Sequence, residues 1–141
     1  MLKIKLFILC GMCLLSVFNV MASDYPVDIT VNALKESNGS EWDSVKNSSE
    51  YIVTYKVNIS NNSKKMITPG IDNKLCFFLD DNNGHTLLAK SVQLELLTPY
   101  HPGESRDGIV YFSSKNRNLV DLPFVKMGLG KQCTKIIDHG A

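Results

Sequence analysis

The stretch Tyr51-Ile52-Val53-Thr54-Tyr55-Lys56-Val57-Asn58-Ile59 decides the fold of this chain. Its odd-numbered residues are apolar or aromatic, whereas Thr54, Lys56 and Asn58 between them are polar. A period of two residues is typical of a β-strand with one buried face, because successive side chains of a strand point to opposite sides. The polar run Ser60-Asn61-Asn62-Ser63 ends the pattern. We therefore expect a central strand of the core here.

Further stretches on both sides of this strand are also short, apolar and bounded by turn residues, which is typical of strands. Residues 35–49 are polar and contain breakers, so we expect a surface loop there, with room for one short strand around Trp42. No stretch longer than a turn shows a convincing helical period. The predicted strands are residues 27–33, 74–79, 85–89, 92–96, 108–113 and 120–129.

The segment Asp80-Asp81-Asn82-Asn83-Gly84 separates two of these strands. A calcium loop of the helix-loop-helix type would need a glutamate at its twelfth position, and here that position is Ser91 or Val92. Asparagine and glycine tolerate the positive φ angles of a tight hairpin turn. The segment therefore predicts a turn and not a metal site.

About seven short strands, with turn signals every 8 to 12 residues, predict an all-β chain with an immunoglobulin-like antiparallel sandwich. A small barrel is the competing architecture. The sandwich is favoured because one disulfide between a middle strand and the last one fits its topology. The Cys, Trp, Cys order of antibody domains is absent, since Trp42 precedes both candidate cysteines.

Residues 1–22 have the pattern of a cleavable secretory signal. Lys3 and Lys5 precede an apolar run over residues 6–17, and Val20-Met21-Ala22 offers a cleavage site near Ala22. The apolar run is shorter than a membrane span, so we expect no stable membrane insertion after cleavage. The sequence thus predicts a periplasmic or secreted protein whose residues 23–141 form a single β-sandwich domain.

Cysteine content predicts a disulfide, and the net charge limits the kinds of partner that the protein can bind. Two of the four cysteines leave with the signal, and Cys76 and Cys133 remain in an oxidising compartment, where pairing is the default. Because Lys3 and Lys5 also leave, the 15 basic residues fall to 13 against 14 acidic ones. Such a balance argues against nucleic acid as a partner.

No pattern of reactive residues indicates catalysis, a cofactor or a metal. The histidines His85, His101 and His139 fall in turns and the tail, without the spacing of a zinc site. Ser105 lies in the segment 103–108, which reads as the polar approach to a strand and not as a nucleophile elbow. We therefore expect no enzyme.

Three aromatic residues fall in predicted loops or strand ends, namely Tyr25, Trp42 and Tyr100. Large amphipathic rings at such places often anchor a partner or a polysaccharide. The alternative is that each ring covers one open end of the sandwich. Exposure of the side chains distinguishes the two interpretations.

Several segments together resemble a family of small secreted Gram-negative proteins of unknown function that have an immunoglobulin-like sandwich. They are Val57-Asn58-Ile59-Ser60-Asn61, Cys76-Phe77, the Leu97 to Gly103 turn, Gly108-x-Val110-x-Phe112-Ser113 and the late stretch from Val125 to Cys133. The resemblance implies the sandwich and a Cys76 to Cys133 bridge, and it implies no chemistry.

The sequence thus favours an exported, non-enzymatic protein that binds another protein or an envelope component through loops or an edge strand. One alternative is a hydrolase acting on cell-wall or carbohydrate substrates through the loop carboxylates Asp80, Asp81, Glu104 and Asp107. A second alternative is a structural accessory unit of an envelope assembly.

Overall fold

Seven antiparallel strands and three short helical segments make up the computed structural model, which describes residues 27–139. The predicted signal and Tyr25 lie outside these residues. The strands are β1 (Ile29–Asp43), β2 (Ser48–Asn61), β3 (Leu75–Asp80), β4 (Thr86–Leu88), β5 (Ser91–Val92), β6 (Ser105–Ser114) and β7 (Phe124–Leu129). The helical segments are a 3₁₀ helix (Leu94–Leu97), α1 (Arg117–Val120) and α2 (Lys131–His139).

The strands form a four-stranded sheet in the order β1-β2-β6-β5 and a three-stranded sheet in the order β4-β3-β7. The prediction of an all-β sandwich with about seven strands is confirmed. Within residues 27–139, no helix has the length and hydrophobicity that a membrane crossing requires.

The core lies between the two sheets and is centred on β2. Val53, Val57 and Ile59 are completely or almost completely buried, and the ring of Tyr55 meets that of Phe112 edge to face with centroids 6.0 Å apart. The other sheet contributes buried residues from β3 and β7, namely Phe77, Leu79 and Val125. The central strand predicted from the alternating stretch is therefore confirmed.

The long strand β1 corrects the predicted loop over residues 35–49. β1 pairs with β2 over its whole length and ends only at Asp43. The polar run has no alternating pattern because this half of the hairpin extends beyond the core, where both faces of β1 are solvated. Glu36 has no partner on β2, so it forms a β-bulge between Lys35 and Ser37.

The predicted strand over residues 92–96 is also wrong. After the two-residue β5, the chain turns into the 3₁₀ helix, and Leu96 inserts fully buried into the core. It packs on Gly108 of β6, where a Cβ atom would lie only 2.5 Å from Leu96 Cγ. The alternating apolar residues over 92–96 therefore do not form a strand. The pattern arises because Leu96 of the 3₁₀ helix is buried in the core.

The last predicted strand, residues 120–129, starts four residues later than expected, because α1 and Pro123 precede β7. Helix α2 follows and was not predicted. It packs on the outer face of the three-stranded sheet, where Cys133 and Ile136 are buried. A disulfide joins Cys133 to Cys76 of β3, which confirms the predicted pairing.

The predicted hairpin turn after β3 is confirmed. Asp80 pairs with Thr86 at the end of the β3–β4 ladder. Between them, Asn82 and Gly84 have φ angles of 61° and 99°. These are values that asparagine and glycine adopt most easily.

Candidate functional site

The end of the β1–β2 hairpin carries exposed aromatic side chains. Trp42 is 63% exposed and Tyr51 is 39% exposed. Cross-strand register places Asn38 opposite the buried Val53, Ser40 opposite Tyr51, and Trp42 opposite Ser49. Opposite residues of an antiparallel pair point to the same side of the sheet. Asn38, Ser40, Trp42 and Tyr51 therefore share the face that becomes the core further along, and we call these four residues the hairpin platform.

A cleft of about 250 Å³ separates part of the hairpin platform from helix α1. Arg117 and Asp121 line its α1 side and form an ion pair with Nε and Oδ2 3.6 Å apart. Both side chains of this pair are more than half exposed. The residues around the cleft are Asn38, Gly39, Ser40, Tyr51, Ile52, Arg117, Val120 and Asp121.

The opposite face of the hairpin carries a polar network that ties it to the rest of the sheet. Glu41 and Glu50 are directly opposite each other on β1 and β2. Lys90 Nζ donates to both carboxylates, at 3.3 and 3.2 Å. The Tyr111 hydroxyl donates to Glu41 at 2.7 Å, and the Ser113 hydroxyl donates to Glu50 at 2.8 Å. The repulsion expected between the two glutamates is thereby offset.

These contacts set the charge state of the network. The hydrogen bond from Tyr111, followed by that from Lys90, lowers the pKa of Glu41. The pKa of Glu50 is lowered by Ser113 and then by Lys90. Hydrogen bonding to Glu50 raises the pKa of Lys90, and burial together with Glu41 raises the pKa of Tyr111 to about 12. Both carboxylates are thus ionised at neutral pH, so neither has the raised pKa of a general acid.

Tyr100, predicted as an exposed anchor, is completely buried. Its hydroxyl donates to the Leu96 carbonyl at 2.9 Å, and the Arg106 guanidinium lies over its ring at 4.3 Å from the centroid. The partner-binding interpretation of Tyr100 is therefore wrong, because the ring belongs to the hydrophobic core. Tyr25 lies outside the described residues, whereas the exposed Trp42 remains available to a partner.

Each of the four loop carboxylates has its own neighbour. Within residues 27–139, no hydrogen bond or ion pair joins the pair Asp80 and Asp81 to the pair Glu104 and Asp107. No group of three or more His, Cys, Asp or Glu side chains in the described chain is placed to hold a metal ion. The contacts are Asp80 with Lys126, Asp81 with His85, Glu104 with Arg106, and Asp107 with Asn58.

Sequence reasoning identified Trp42 but missed its neighbours in the hairpin platform. Tyr51 belongs to the alternating stretch and was therefore assigned to the core, although the core ends at Val53. Asn38 and Ser40 looked like loop residues around Gly39. The position of Tyr51 at the very start of its strand, directly after a polar run, was the one available signal of exposure.

Comparison with known proteins places the chain in a family without revealing an activity. A crystal structure of an ApaG protein from Pseudomonas aeruginosa PAO1 is similar, with a TM-score of 0.62 and 23% sequence identity over 73% of this chain and 96% of that chain. No curated protein matches the chain. A family profile, described as Domain of unknown function (DUF4354), matches residues 1–128. The chain therefore belongs to the DUF4354 family.

Proposed function

We propose that this protein is exported and that it acts, without catalysis, by binding another protein or an envelope component through the β1–β2 hairpin. The observation that carries the proposal is the exposure of Trp42 and Tyr51 on one face of a hairpin that extends beyond the core. Tyrosine, tryptophan and arginine dominate the energetics of binding surfaces. Tyr51 and Arg117 line the cleft, and Trp42 lies on the same face of the hairpin as Tyr51.

The proposal is supported by the way the hairpin is held. The network of Glu41, Glu50, Lys90, Tyr111 and Ser113 fixes the face opposite the aromatic rings. A surface that is already ordered loses less conformational entropy when a partner binds. The same network keeps its carboxylates ionised, which suits a structural role better than proton transfer.

Photo-crosslinking tests the binding site. A photoreactive amino acid is placed at Val45 in the hairpin turn, which is 94% exposed, or at the control position Ile71, which is 90% exposed and outside the hairpin. In cells of a Gram-negative host, we expect an adduct of defined mass from position 45 and none from position 71. An excess of purified wild-type protein should suppress the adduct in extracts, whereas an excess of Trp42→Ala should not.

Equal crosslinking from both positions, or equal competition by Trp42→Ala, would count against the hairpin as the binding surface. Export is tested separately by cell fractionation and mass spectrometry. We expect a mature chain that starts near Ser23 and is found outside the cytoplasm. A cytoplasmic chain that still carries residues 1–22 would contradict the proposed export.

A further inference from the structure

We infer that the hairpin platform and its cleft against α1 form a binding site for a neutral oligosaccharide. This inference rests on the proposed function, since it names the chemical class of the envelope component. A sugar ring has an apolar face of C–H groups and an edge of hydroxyls that both donate and accept hydrogen bonds. The site offers a matching surface for each.

The apolar part consists of the two aromatic rings. Trp42 lies opposite Ser49 and Ser40 lies opposite Tyr51, so Trp42 and Tyr51 are diagonal neighbours on adjacent strands. Such neighbours are about 7–8 Å apart and share one face of the sheet. Both rings are partly exposed, and their flat apolar surfaces can stack against the C–H faces of successive sugar units.

The polar part consists of side chains whose hydrogen-bonding capacity is unused in the fold. Within residues 27–139, the side chains of Asn38 and Ser40 make no hydrogen bond. Arg117 contacts Asp121 only through Nε, which leaves its terminal nitrogens as free donors. Amide, hydroxyl and guanidinium groups together supply the donors and acceptors that sugar hydroxyls require.

The charge of the cleft favours a neutral ligand. Its two ionised groups are Arg117 and Asp121, which have opposite signs and lie against each other. An anionic ligand would meet the Asp121 carboxylate, and a cationic ligand would meet the Arg117 guanidinium. The cleft volume of about 250 Å³ is below the range of about 300–1,000 Å³ typical of drug-sized ligands. This size suits one sugar unit, with neighbouring units lying over the rings.

Gly39 lines the cleft between Asn38 and Ser40. It lies opposite Ile52 in the register, so an added Cβ would point to the face opposite the hairpin platform, where it would meet Ile52 Cγ1 at 3.9 Å. Replacement of Gly39 by alanine therefore adds no atom on the face that carries Trp42 and Tyr51.

Fluorescence titration tests the site directly, because Trp42 is the single tryptophan of the chain. The probes are tetrasaccharides of N-acetylglucosamine, of α-linked glucose and of galactose, each added to the processed wild-type protein. We expect a saturable change in emission with at least one of them. Free N-acetyltryptophanamide, treated in the same way, should show no saturation.

Variants that keep Trp42 then locate the binding site. We expect Tyr51→Ala and Asn38→Ala each to weaken binding at least tenfold. Gly39→Ala should bind like the wild type, because its added Cβ points away from the hairpin platform. Lys56→Ala is the control, since Lys56 is exposed on the opposite face of β2, and it should bind like the wild type.

The inference is overturned if no tetrasaccharide changes the emission, or if binding persists unchanged in Tyr51→Ala and Asn38→Ala. A protein adduct from position 45 combined with no sugar binding would overturn the oligosaccharide and leave the proposed binding function in place. Failure of the crosslinking at position 45 and of the titrations would overturn both.

Discussion

Among the glycines that the structure describes, Gly108 has the least room for a side chain. A Cβ at this position would lie 2.5 to 2.8 Å from three atoms of the completely buried Leu96. We expect Gly108→Ala to lower the free energy of unfolding by about 1–3 kcal/mol, because overpacking forces side chains and backbone to shift. Urea denaturation followed by Trp42 fluorescence or circular dichroism measures the loss.

Gly70→Ala is the matched control for this substitution. Gly70 has no atom within 4 Å of its added Cβ and no positive φ angle. Its replacement should leave the urea midpoint unchanged or raise it slightly. Equal midpoints for the two variants would show that the Leu96 contact does not limit the space at position 108.

Residue-level roles of this kind were the least predictable part of the chain. Gly108 looked like the start of a strand, and Leu96 looked like one apolar position in an alternating run. Gly108 lies in β6 and Leu96 lies in the 3₁₀ helix. Their contact is therefore not visible in the sequence pattern of either element. The Cys76–Cys133 bridge, in contrast, was predictable. Only these two cysteines follow the predicted signal, so a disulfide between them had one possible pairing.

At the scale of the element, the β1–β2 hairpin should respond to pH through its polar network. The pKa values of Glu41 and Glu50 are lowered, so their stabilisation is present above the ordinary glutamate value of 4.5 and is lost as pH falls through their folded-state values. The pKa of Tyr111 is raised to about 12, so its contribution holds below 10 and is lost as pH rises through about 12. Stability should therefore be highest between these limits.

Glu50→Gln separates this effect from general acid unfolding. We expect it to lower the urea midpoint at pH 7, where Glu50 is ionised and bonded to Lys90 and Ser113. At pH 3 the variant and the wild type should differ much less. Glu36→Gln, at the exposed bulge, should match the wild type at both pH values. A loss for Glu50→Gln that is the same at pH 3 and pH 7 would contradict a role for the ionised carboxylate.

The spacing of apolar residues predicts an element only where that element faces the core. β2 was predictable because its odd-numbered residues face a continuous core. The distal half of β1 was not, because it has backbone pairing without burial, and because the bulge at Glu36 changes which residues share a face with Trp42. Helix α2 was missed because it is short and contacts the sheet through few apolar residues, Cys133 and Ile136 among them.

At the scale of the whole molecule, the disulfide connects the last helix to the middle of the fold. It closes a loop of 57 residues between Cys76 and Cys133. We expect the double variant Cys76→Ala/Cys133→Ala to lose about 2–4 kcal/mol of unfolding free energy. Urea denaturation, with and without a thiol reductant, measures this loss.

In the double variant the reductant should have no effect, whereas it should shift the wild-type midpoint toward that of the variant. The hairpin platform belongs to the other sheet, so the native emission of Trp42 should be retained in the variant. Unchanged stability after removal of both cysteines would contradict a structural role for the bridge.

The bulge at Glu36 also limits how copies of this protein can associate. β1 forms one edge of its sheet, and a long unprotected edge invites another chain to extend the sheet. Because Glu36 interrupts the ladder, an incoming strand would find two separate templates, residues 29–35 and 37–43, instead of one across all 15 residues. The bulge at Glu36 thus disfavours the edge-to-edge association of copies into a fibre. The rings of Trp42 and Tyr51 then stay accessible to ligands that are smaller than a second copy of the chain.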